Sequence, residues 1–180
     1  MIAIAIKLII ISMLLLFALV SDLRTYSIKN YITYGFMLIG LTLNFAMEGL
    51  RGLAFSLQGI IIPALFLFIL YIMRIIGAGD VKLLCAVGAV MGGVFSLYAA
   101  ICSFICGGFI ASSLMLARNN ASERFNHFIL YLTSCFLTMK ILQYTDFGDR
   151  KDGGKFHFSL AIASGTIAAV IIKSFGMWGA

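Results

Sequence analysis

Apolar runs at 2–20, 31–47, 53–73, 81–91, 95–117 and 158–175 fill most of the chain, and only one of the connections between them exceeds about a dozen residues. A helix that crosses a bilayer needs about 20 mostly apolar residues, so six would use about 120 positions. In a chain of 180 residues that leaves no room for a separate soluble domain. Apolar residues make up 62% and charged residues 11%, where a soluble domain has roughly 45–50% and 25%. The repeated short alternating segments of an outer-membrane barrel are absent. The expected fold is therefore all-α, a polytopic helical membrane protein with about six transmembrane helices, built as one membrane-embedded unit over 1–180. The fourth run is short and is hard to place without its Gly-rich exit.

The first run has no basic segment ahead of it and ends in Ala18, Leu19, Val20, Ser21 and Asp22 without a clear small-residue cleavage site, which predicts a retained helix. The net charge of +6 would suggest nucleic acid in a soluble domain, but in a membrane protein it reports orientation. Arg24 and Lys29 lie in the first connection, Arg51 alone in the second, Arg74 and Lys82 in the third, and the fourth has none. Basic residues are retained on the cytoplasmic side, so the odd-numbered connections are expected there, in an inner (cytoplasmic) membrane. Arg118, Arg124, Lys140, Arg150, Lys151 and Lys155 agree if 118–156 is a cytoplasmic or interfacial segment. Within it, 127–142 is apolar enough to span, but His127, Tyr131, Ser134 and Thr138 make a polar stripe, which predicts a helix lying along the surface. Residues 144–155 read as an exposed linker. Cys85, Cys102, Cys106 and Cys135 lie in apolar stretches without ligand spacing and are expected to pack, with no metal and no cofactor.

Ionisable groups at membrane depth are costly and so mark function by default. Among the carboxylates only Asp22, ending the first run, and Asp80, beginning the fourth, qualify, and the charge count puts both at the cytoplasmic face. Asp80 follows Gly77, Ala78 and Gly79 in a flexible turn. Alone, it is as well explained as a helix cap; Asp22 alone reads as an interfacial residue. Together they suit general acid–base chemistry. Two carboxylates sharing one water cannot both ionise, so one acts as acid while the other acts as base.

Asp22 followed by Tyr26, Ser27, Ile28, Lys29 and Asn30, then Gly77-Ala78-Gly79-Asp80-Val81-Lys82-Leu83-Leu84, resembles the type IV prepilin peptidases and the archaeal preflagellin peptidases, which are GxGD membrane aspartyl proteases. The likeness continues through 86–92 and more loosely through 156–165. It implies that Asp22 and Asp80 are the catalytic pair and that Gly77 and Gly79 form the active-site loop. It also implies pilin-like precursors as partners, cleaved on the cytoplasmic side after a small residue that precedes their hydrophobic helix. Where the family often has Ile-Pro-Asn, this chain has Ile28, Lys29 and Asn30. It lacks the cytoplasmic insert with paired CxxC motifs, which places it with the short, cleavage-only members. Lys82 is a candidate contact for an acidic substrate group or a lipid phosphate, against an ordinary snorkelling role.

Gly88 with Gly92, and Ala161 with Gly165, have the spacing of close helix packing, which offers a way to hold the fourth span near the first. Two other readings compete. A presenilin-type protease needs a Pro-Ala-Leu motif after its GxGD turn, and here Pro63, Ala64 and Leu65 come before it. A transporter or assembly scaffold that uses Asp22 and Asp80 to bind an ion would place them nearer the midplane.

Overall fold

A computed structural model defines residues 2–73, 76–117 and 158–174. Over these the chain is helical: α1 (Ile2–Thr25), α2 (Asn30–Glu48), α3 (Leu50–Ile72), α4 (Ala78–Met91), α5 (Gly93–Ala117) and α6 (Phe158–Ser174). Each expected run contains one helix. The surface helix expected at 127–142, the linker at 144–155, Cys135, His127 and His157 lie outside the described residues.

The side chains are distributed as hydrocarbon solvent requires. Leu16, Phe17, Leu38, Leu65, Phe66, Ile69 and Phe109 point outward, while Thr33, Asn44, Ser56, Ser96, Ser103 and Thr166 are buried. Lipid offers no hydrogen bonds, so polar groups must find partners inside the bundle. Every buried side-chain nitrogen and oxygen among the described residues does so. α1, α3 and α5 are long and apolar enough to cross a membrane, and α6 is a shorter apolar helix. The protein is thus a polytopic helical membrane protein.

The short fourth run is explained by its position. α4 has 14 residues, about 21 Å of helix, less than the roughly 30 Å of a hydrocarbon core. It is buried from Leu83 to Met91 and packs against α1, α2, α3, α5 and α6. A helix ringed by protein need not match the thickness of the lipid.

Two tight turns set the up-and-down order. Gly49 alone separates α2 from α3 at φ 60°, ψ −136°, and Gly92 separates α4 from α5 at φ 96°, ψ 161°. Side-chain-bearing residues avoid this backbone region. Small residues then let backbones touch: a Cβ on Gly59 would run into the Gly88 carbonyl, and one on Gly88 into the Gly59 carbonyl. Gly88 therefore packs on α3, and Gly92 faces Phe55 of the same helix. The partner of this pair, which the spacing alone leaves open, is α3. On the other side, Gly165 of α6 lies against the backbone of Ser103 in α5. A buried polar knot fastens α2, α3 and α4. Asn44 Nδ2 donates to Ser56 Oγ at 2.8 Å and to the Ala89 carbonyl at 3.0 Å, and Ser56 Oγ donates to that carbonyl at 2.8 Å.

Candidate active site

Alternation of helix directions gathers the last turn of α1 and the first turns of α2, α4 and α6 at one end of the bundle. Asp22 and Asp80 both lie there, close enough for the charge of one to act on the other.

The apolar run of α1 stops at Val20, but the helix continues one more turn to Thr25 and so carries Asp22 within it. Local hydrogen bonds stop it there. The Tyr26 N–H donates to the Asp22 carbonyl at 2.8 Å, with Tyr26 in the left-handed region at φ 50°. Ser21 Oγ and Thr25 Oγ1 each donate to the Ser27 carbonyl, at 2.9 and 3.0 Å. These bonds fold the first connection back against α1 and leave the Asp22 side chain buried, 9% exposed.

Asp80 is the third residue of α4, behind the N-cap Gly77. Its carboxylate lies beside the Gly77 backbone N–H, where the acidic residue of a capping box stands. Asp80 thus stands at a helix N-terminus and within electrostatic reach of Asp22. The glycines matter here for space. Gly77 has φ −73°, open to any residue, but a Cβ on it would stand 3.0 Å from Asp80 Oδ2. A Cβ on Gly79 would stand 3.3 Å from Ile28 Cβ, and Ile28 is buried. Absent side chains thus bring the Gly77 backbone to the carboxylate and the first connection onto the turn.

Lys82 turns to its own protein. Its Nζ donates to Asn30 Oδ1 at 2.9 Å and lies 5.1 Å from the centre of the Tyr34 ring. It ties α4 to the start of α2 beside the aspartates. One further residue at this end is not singled out by its sequence surroundings. Ser159, the second residue of α6, is 1% exposed, and its Oγ donates to Asp22 Oδ2 at 2.6 Å. It lies 137 positions away in sequence, so its only signal was a place in the loosely matching stretch 156–165. No cluster of three or more His, Cys, Asp or Glu side chains suited to a metal occurs among the described residues.

The arrangement puts two carboxylates with different surroundings within electrostatic reach of each other, one bonded to a hydroxyl and the other at a helix N-terminus. A family model described as the type IV leader peptidase family matches residues 9–112, a stretch that contains both aspartates and the glycine turn. Neither the curated proteins nor the solved structures give a match.

Proposed function

The chain belongs to the type IV leader peptidase family, and from that premise we propose that it is an aspartic endopeptidase that removes the leader of pilin-like precursors, with Asp22 and Asp80 as its catalytic pair. The observation that carries this reading is that the two carboxylates lie at the same end of the bundle, near enough for their charges to interact, beside the Gly77–Gly79 turn.

One carboxylate takes a proton from water as its oxygen attacks the scissile carbonyl; the other, protonated, gives its proton to the developing oxyanion. Collapse of the tetrahedral intermediate breaks the C–N bond. The amine leaves with the proton taken from water, and the second carboxyl recovers its own. Helix ends are a suitable place for this, since a precursor whose leader is in water and whose helix is in lipid presents its junction at that depth.

In this reading the aspartate end faces the cytoplasm, the membrane is the inner one, and residues 1–180 form one peptidase domain. The ion-binding alternative has no observation in its favour. Coexpression with candidate precursors tests the substrate class: a shortened product whose new N-terminus begins at the hydrophobic helix is expected. Unprocessed precursors across a panel of pilin-like sequences would remove that class.

A further inference from the structure

The last turn of α1 points its carbonyl end at Asp22, the wrong polarity for a carboxylate. Ser159 supplies from α6 what α1 does not. Ser159 Oγ donates to Asp22 Oδ2 at 2.6 Å, and a hydrogen bond donated to a carboxylate favours its charged form over its protonated one. Both groups are buried, so water does not compete for the bond. The contact joins the last helix to the first.

We propose that Ser159 is a positioning residue that fixes Asp22, through Oδ2, as the base of the pair and leaves Asp80 as the proton-bearing acid. The inference rests on the aspartyl-peptidase reading and assigns the two roles that reading leaves open. Asp22, held through Oδ2, takes the proton of the attacking water. Asp80 keeps its place beside the Gly77 N–H while protonated, because a carboxylic acid retains an acceptor in its carbonyl oxygen.

The full-length protein, purified in lipid vesicles, is compared as wild type, Ser159→Ala, Ser159→Thr and Ser103→Ala. The Ser103 hydroxyl donates to the Ala99 carbonyl within α5, so its loss controls for removal of a buried hydroxyl remote from the aspartates. With a precursor peptide, Ser159→Ala lowers kcat about tenfold or more, as expected for loss of a hydrogen bond to a charged group. KM and melting temperature hold, Ser159→Thr keeps most of the activity, and Ser103→Ala cleaves like wild type. An unchanged kcat in Ser159→Ala, or equal losses in Ala and Thr with a lowered melting temperature, would overturn the proposal. A second readout does not need activity. Dicyclohexylcarbodiimide modifies protonated buried carboxyls, so Ser159→Ala raises labelling at Asp22, mapped by peptide mass spectrometry, while Ser103→Ala does not. Unchanged labelling at Asp22 refutes the positioning role even if wild type cleaves no precursor, an outcome that would count separately against the peptidase substrate.

Discussion

Residue scale decides which side chains touch the reaction. Gly77→Ala tests the space argument directly, because its backbone torsions suit alanine while the new Cβ would press on Asp80 Oδ2. Displacement of a reacting group by a fraction of an ångström costs about ten- to a hundredfold in rate, so kcat should fall by that order with abundance and melting unchanged. Normal kinetics in Gly77→Ala would show that the turn tolerates a side chain. Asp22 and Asp80 were legible in the sequence because a carboxylate beside an apolar run is conspicuous. Ser159 was not, since a serine in a membrane helix is unremarkable until its partner is known. The bond from Lys82 to Asn30 was not legible, because no local pattern ties a lysine to a residue 52 positions away.

Among the elements, α4 carries most of the consequences. Its small residues let α3 approach to backbone contact at Gly59 and Gly88. Gly59→Val should therefore unseat α4, with a loss of at least the roughly 1–3 kcal/mol typical of overpacking. Gly35, by contrast, has open space where a Cβ would go, and Gly35→Ala should leave thermal stability in detergent the same or slightly higher. If both variants melted alike, the close approach of α3 and α4 would not be what holds the core. The spacing of Gly88 and Gly92 revealed that something packs closely there, but a one-dimensional pattern does not name the partner. The structure names α3. The short length of the fourth run was the sequence signature of a helix surrounded by protein, readable only once its neighbours are in place.

At the scale of the whole molecule, the two ends of the bundle differ in chemistry. The aspartate end carries Arg24, Lys29 and Lys82, and the other carries Lys7, Arg51 and Lys173. At that second end Lys7 lies near Glu48 and over the Phe55 ring, and Lys173 over the Phe95 ring. Among the described residues the basic side chains thus divide evenly, so the expected orientation leans on Arg74 and on the six basic residues of 118–155. A membrane-impermeant maleimide should label Arg51→Cys in intact spheroplasts and Lys29→Cys only after permeabilisation; the reverse pattern would invert the molecule and with it the side of cleavage. Among the described residues the helices and their order were legible because apolar runs and glycine turns are local signals, whereas the assembly of the site from α1, α4 and α6 depends on contacts far apart in the chain. Everything in the proposed function turns on Asp22 and Asp80 together cleaving a pilin-like precursor. The most direct measurement places the purified wild type, Asp22→Asn and Asp80→Asn side by side in lipid vesicles with such a precursor and reads the product by mobility and N-terminal residue. Wild type alone should process the precursor, with both variants folded and inert; cleavage by either Asn variant at the wild-type rate would rule out the paired-aspartate mechanism.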